Sequence, residues 1–246
     1  MLFRSIFFNS YDPNRDVERH LRTRIMTRVT LPNLRWLGFQ GTSAYLEALL
    51  PWVTIPLLEK LQVYLFNRLI YSIPHLEQLM STARNLRLKT TTLTFCEDFL
   101  SVMAYPHNEA KMYTLDMELG GKLLDWQVVS AAQVFQMLRK VFSAVDHLTL
   151  EYGRDTTSSE WVNQADHALW REVLRSFGNV KTLFVDGELV GKLSRALQSA
   201  EGESSTELLP ELQELSSSAK PTSLDVFASF VDARQKAGRP VTMIYH

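Results

Sequence analysis

The side chains that most often carry chemistry are thinly spread along this chain. The six histidines, His20, His75, His107, His147, His167 and His246, are scattered, with no partner at metal-ligand spacing. Cys96 is the only cysteine, so the chain can form neither an internal disulfide nor a cysteine-rich zinc site. Its setting, Thr94-Phe95-Cys96-Glu97-Asp98, puts two carboxylates beside the sulfur and opposes a reactive thiolate. Gly187-Glu188-Leu189-Val190-Gly191-Lys192-Leu193-Ser194 has the outline of a phosphate loop. Only three residues separate its glycines, and Leu193 stands where a magnesium-holding hydroxyl belongs. A strand-to-helix turn at Asp186-Gly187 is the expectation there, and Gly120-Gly121-Lys122 is a second turn candidate without a phosphate-loop frame. No Gly-x-Ser-x-Gly elbow exists to expose a nucleophilic serine. These side chains predict no catalytic, metal or cofactor site.

The elements that position the side chains are announced by spacing. Apolar residues recur as L-x-x-L-x-x-L-x-L. The copies are Leu31, Leu34, Leu37, Phe39; Ile55, Leu58, Leu61, Val63; Met80, Ala83, Leu86, Leu88; Phe142, Val145, Leu148, Leu150; and Phe177, Val180, Leu183, Val185. Leu209, Leu212 and Leu215 make a further copy that ends on Ser217, and Met112, Leu115, Met117 a weaker one. The closing L-x-L has period two and places both residues on one side of a short strand, whereas the residues upstream belong to a helix end or turn. A single such unit cannot bury its apolar side, but a stack of them can.

Helical periodicity fills the intervals. Thr42 or Ser43 can cap a segment with Leu46, Leu49 and Leu50; further helices are expected over 130–142, 161–177, 188–200 and 224–237, the last ending at Gly238 before Pro240. Val241–Ile244 is expected as a closing edge strand. Measured between Leu37, Leu61, Leu86, Leu115, Leu148, Leu183 and Leu215, the steps are 24, 25, 29, 33, 35 and 32 residues. The polar stretches 153–163, 201–207 and 216–223 read as insertions in the longer steps. The segment 90–125 fits either one irregular repeat or two. The fold class expected is α/β: an irregular leucine-rich-repeat-like solenoid over residues 31–246, short parallel strands on the concave face and helices on the convex face. Residues 1–30 form a basic lead-in.

Charge excludes little. Lys and Arg total 26 against 27 Asp and Glu, so no net field points to nucleic acid. The strongest local bias, Arg15, Arg19, His20, Arg22, Arg24 and Arg28, is interrupted by Asp16 and Glu18 and lacks interleaved aromatics, so a nucleic-acid role is the alternative reading. The apolar run at the start stops at Asn9, too short for a secretory core, and no stretch is long enough to span a membrane. With a single cysteine and no Asn-x-Ser/Thr acceptor, the cytoplasm or nucleus is expected.

In a stack of parallel strands, the residues alternating with each apolar pair face the concave side. The candidate partner-binding residues are therefore Trp36, Gln40, Lys60, Gln62, Tyr64, Arg87, Lys89, Asp116, Glu118, His147, Glu151, Phe184 and Asp186. Basic residues fall in the second and third copies and acidic ones from Asp116 onward, with Trp36, Tyr64 and Phe184 as aromatic anchors for a protein partner.

Several stretches carry a resemblance. They are Leu31-Pro32-Asn33-Leu34-Arg35-Trp36-Leu37-Gly38-Phe39, Leu49-Leu50-Pro51-Trp52, Phe142–Leu150, Leu208-Leu209-Pro210-Glu211-Leu212-Gln213-Glu214-Leu215 and Phe230–Thr242. From about Asp16 to the end, the ordered series resembles the C-terminal repeat region of mushroom-type fungal F-box proteins. That resemblance implies substrate recognition in a Skp–cullin–F-box ubiquitin ligase, the repeat domain choosing the target. An F-box would precede the repeats and contact the Skp adaptor; the residues before Leu31 show no such signature, so an F-box-less relative, decoy or fragment is the alternative expectation.

Overall fold

Period-two alternation is the dominant signal in the chain, and in the structure it becomes a sheet buried on one face. The computed structural model describes residues 5–9, 27–66, 72–107, 112–153, 167–198, 208–218 and 225–245. Twelve strands lie among them: β1 (Ser5–Asn9), β2 (Val29–Thr30), β3 (Trp36–Gly41), β4 (Val53–Thr54), β5 (Lys60–Leu65), β6 (Thr90–Phe95), β7 (Phe99–Tyr105), β8 (Leu115–Gly120), β9 (His147–Tyr152), β10 (Thr182–Val185), β11 (Glu214–Ser217) and β12 (Thr242–Tyr245). The described helices are α1 (Ser43–Leu49), α2 (Pro74–Thr82), α3 (Leu124–Met137), α4 (Arg139–Phe142), α5 (His167–Arg175), α6 (Gly187–Leu197) and α7 (Ala228–Lys236). The molecule is α/β, with a large, mostly parallel sheet.

Ten strands form that sheet in the order β1-β3-β5-β8-β7-β6-β9-β10-β11-β12. Every pairing is parallel except those of β7, which is antiparallel to both β6 and β8. Leu37, Phe39, Leu61, Val63, Leu115, Met117, Leu148, Leu150, Leu183 and Val185 point into one core together with the apolar faces of the helices. Phe135, Phe142 and Phe177 meet there at centroid separations of 4.8–5.5 Å, and Trp170 lies 5.2 Å from Phe95.

The array departs from the expected progression in its middle. Leu86 and Leu88 are buried, but they lie before the strand, not in it: β6 starts at Thr90. The third expected strand is thus shifted downstream, and Arg87 and Lys89 are not strand residues. β6 does not lie beside β5 either. It lands three places away, and β7 and β8 fill the gap by doubling back. Three residues, Cys96–Asp98, join β6 to β7, too few for a crossover, so the chain must reverse. Cys96 N donates to Phe99 O at 2.9 Å and closes that hairpin. Buried Gln127 clamps the region from α3, its Nε2 donating to Cys96 O at 2.6 Å and to Gly121 O at 2.7 Å. Segment 90–125 is thus a three-stranded excursion, not one repeat or two.

Several boundaries also shift. Ser5–Asn9, inside the expected lead-in, supply the edge strand β1. The helix expected from residue 130 begins at Leu124, and the one expected from 224 is helical from Ala228, with a single 3-10 turn before it. Ser216 and Ser217, assigned to an insertion, are the end of β11, and Ser217 is fully buried in the apolar position it replaces. The expected turn at Asp186-Gly187 is present, with extended Asp186 preceding α6, and β12 is the expected closing strand. Gly238 ends α7 with φ +73°, where a side chain would be strained.

A smaller parallel pair lies beside the main sheet. Val29-Thr30-Leu31-Pro32 and Val53-Thr54-Ile55-Pro56, 24 residues apart, put β2 against β4, and Leu31 N donates to Thr54 O at 2.9 Å. The next helix, α2, begins with Pro74 after Ile73, which has no capping side chain. Its free N–H groups are met from α1: Glu47 accepts from His75 N at 2.9 Å, Leu76 N at 3.0 Å and the His75 ring at 2.8 Å.

Candidate functional site

Core-facing residues occupy one side of the sheet, so the alternating residues share the other, which no described helix covers. Strand register orders them into rows. The first reads Trp36, Lys60, Thr114, Tyr105, Thr90, His147, Thr182, Glu214; the second Gly38, Gln62, Asp116, Met103, Thr92, Thr149, Phe184, Ser216. The third reads Gln40, Tyr64, Glu118, Ser101, Thr94, Glu151. Ten of the thirteen residues picked from spacing, namely Trp36, Gln40, Lys60, Gln62, Tyr64, Asp116, Glu118, His147, Glu151 and Phe184, therefore lie on this face within strands. Sequence reasoning missed Tyr105, Met103, Ser101 and the threonines of β6; the clean alternation of Leu100, Val102 and Ala104 was the available signal.

Two expectations about this face are corrected. Arg87 and Lys89 reach only its rim, in the loop before β6. There Arg87 O accepts from Thr114 Oγ1 at 2.8 Å, and Lys89 Nζ lies 3.5 Å from Asp146 Oδ2. Basic and acidic residues also do not separate from one end of the array to the other, because β8 lies against β5 and sets Asp116 beside Gln62. The C-terminal strand ends are acidic, with Glu118, Glu151 and Asp186, whereas the N-terminal ends are mixed, with Lys60, Lys89 and His147 beside Asp146 and Glu214.

The centre of the face is pre-ordered. Asp116 is 7% exposed. Its Oδ2 accepts from Gln62 Nε2 at 3.0 Å and from Tyr64 OH at 3.1 Å, and Gln62 also bonds the Tyr64 hydroxyl. Burial, then the Asp116 charge, push the Tyr64 phenol up to about 12. Burial and Asp116 likewise raise the Glu118 carboxyl above its usual range, and burial with Asp116 and Glu151 raises the Tyr105 phenol. Lys60 Nζ sits 3.7 Å from the centroid of the Tyr113 ring, a cation–π contact at the rim formed by the N-terminal strand ends. Toward β1, the half-exposed Phe7 ring lies across Gly38 and 6.3 Å from the Trp36 ring. A Cβ on Gly38 would come within 2.2 Å of Phe7, so the glycine is what lets the Phe7 ring lie across the strand there.

Asp186 plays a different part. Its carboxylate accepts from Tyr152 N at 3.3 Å and Ser218 Oγ at 3.2 Å, tying together the ends of β9, β10 and β11. Cys96 is half-buried beside Thr94 O. Among the described residues, no three His, Cys, Asp or Glu side chains are grouped to hold a metal ion, and no helix is long and apolar enough to cross a membrane. Of the basic segment, only Arg28 lies within the described residues; Arg15 to Arg24 lie outside them.

No protein-family model, curated protein or solved structure matches the chain.

Proposed function

We propose that the chain is a non-catalytic protein-binding scaffold, an irregular leucine-rich-repeat-like solenoid interrupted by the β6–β8 excursion. It presents the helix-free face of its sheet to a protein partner. The observation that carries this reading is the face itself: a wide surface holding a bonded Gln62–Tyr64–Asp116 centre, aromatic Trp36 and Phe7 at one side, and an acidic rim at the C-terminal strand ends. Pre-ordered side chains lose little entropy on docking, aromatic residues supply anchoring area, and the acidic rim biases a partner's orientation. The resemblance to fungal F-box proteins makes a ubiquitination target the class of partner; contact with a Skp adaptor would need an F-box, whose signature the residues before Leu31 do not show.

The test is affinity capture of the tagged chain from an extract of a mushroom-forming fungus, in parallel with Arg87→Glu/Lys89→Glu and with Glu151→Lys. Prey proteins held by the face should fall at least tenfold in the rim variants while the circular dichroism of the chain stays unchanged. Equal recovery on all three baits refutes the face as the binding surface. Co-elution of a Skp adaptor and a cullin supports the ligase role; their absence beside rim-sensitive prey supports the F-box-less alternative.

A further inference from the structure

The small β2–β4 sheet stops one strand short of its own pattern. Leu31 N donates to Thr54 O, which pairs the first Val-Thr-aliphatic-Pro segment with the second. Ile55 is the residue equivalent to Leu31 in the second segment, yet its N–H makes no hydrogen bond among the described residues. The register sets Thr54 toward β2, and alternation turns Val53 O and Ile55 N–H to the opposite edge of β4. A third segment would pair there, but the chain has already passed into α2.

A cleft of about 350 Å³ occupies that place, within the usual size of ligand sites. Val53, Ile55 and Pro56 form one wall, Leu79, Gln78 and Thr82 of α2 the other, and Leu50 and Pro51 also line it. The cleft therefore combines an unpaired strand edge with an opposite wall on which Leu79 supplies the apolar contact among the polar His75, Gln78 and Thr82, an arrangement that suits an extended peptide bound by strand addition. The chain also shows which peptide fits such an edge. The equivalent edge of β2 is filled by Val53-Thr54-Ile55-Pro56, two β-branched residues, an aliphatic residue and a proline.

We propose that this cleft is a second binding site, which takes an extended Val-Thr-aliphatic-Pro-like segment of a partner protein as a third parallel strand beside β4. The threonine of that segment donates its N–H to Val53 O and accepts from Ile55 N–H, and the flanking apolar side chains lie against Leu79. The site is separate from the open face of the main sheet and does not depend on it.

The test uses the full chain, labelled with nitrogen-15, and an acetylated, amidated hexapeptide copying Trp52–Leu57. A second hexapeptide carries an N-methyl group on the amide that copies Thr54, which removes the donor and blocks the edge without altering the protein. The unmodified peptide should shift the Ile55 amide resonance, slow its hydrogen exchange, and bind at least tenfold more tightly than the N-methylated one. An Ile55 amide unmoved at millimolar peptide overturns the proposal, as does equal binding of the two peptides. Protection of Ile55 that grows with protein concentration in the absence of peptide also overturns it, because the edge would then belong to a second copy of the chain.

Discussion

Replacing Glu47 should cost the molecule the start of a different helix. The carboxylate meets two of the orphan N–H groups of α2, a helix whose own preceding residue, Ile73, cannot cap and whose first residue, Pro74, has no N–H to offer. Loss of a cap costs about 1–2 kcal/mol, and loss of the charge near the helix N-terminus a further ~0.3–1 kcal/mol. Glu47→Ala is therefore expected to destabilise the fold by about 1.3–3 kcal/mol. Glu47→Gln keeps one acceptor oxygen and should lose about 1 kcal/mol. His75→Ala removes only the partner whose side chain is 42% exposed and leaves both backbone bonds, so it should cost less than about 0.5 kcal/mol. Urea unfolding followed by circular dichroism reads the series. With a slope of roughly 3 kcal/mol/M, the Glu47→Ala midpoint falls by roughly 0.4–1 M. A His75→Ala variant as damaged as Glu47→Ala would refute the reasoning, because the contact with the ring and not the cap would then be the source of stability.

The remaining predictions concern the open face. Tyr64 should ionise at about 12 in an ultraviolet pH titration, and Asp116→Asn should lower that value, because a neutral neighbour no longer opposes the phenolate. Because the folded phenol ionises later than the unfolded one, the stability it contributes is full below its ordinary value of 10.0 and is lost as pH rises through about 12. Glu118 is also raised, so its contribution is full below its ordinary value of 4.5 and is lost as pH rises through the folded value; Glu118→Gln should therefore raise thermal stability at neutral pH, with a gain that disappears in acid. Gly38→Ala should displace Phe7 and release β1 while leaving the rest of the sheet folded; hydrogen exchange that speeds up at 5–9 alone is the expected result, and unchanged protection there would contradict the packing described.

The strands announced by a lead-in were legible in the sequence, and those without one were not. Leu37/Phe39, Leu61/Val63, Leu115/Met117, Leu148/Leu150 and Leu183/Val185 all lie in strands with both side chains in the core. Leu86 and Leu88 carry the same spacing, but burial alone satisfies it, and extended backbone packs two such side chains without belonging to a ladder. β6, Thr-Thr-Thr-Leu-Thr-Phe, starts beyond the Leu86-x-Leu88 position its approach points to, and β7 alternates cleanly but follows no L-x-x-L approach, so both escape a reading anchored on it. Neighbour order is a different kind of information. Local periodicity states which side of a strand is apolar and nothing about which edge it joins, so the inversion β8-β7-β6 has no signature in any single segment. The candidate face survived this error because alternation assigns sides independently of order; the charge layout did not, because it depends on which strands are neighbours.

The inversion also bears on synthesis of the chain from its N-terminus. Strands β1, β3 and β5 can join as soon as each emerges from the ribosome, but the edge of β5 at Leu61 must wait for Leu115. Meanwhile β6 emerges with no finished edge to join and holds Leu93 and Phe95, fully buried in the finished fold, in the open. Translation through this interval thus creates a nascent state with two sticky, unmated ladders, the stage at which a chaperone or a slow codon would matter most. Once Gly120 is out, the gap closes in one event, and the strands from β9 onward can again be added one at a time.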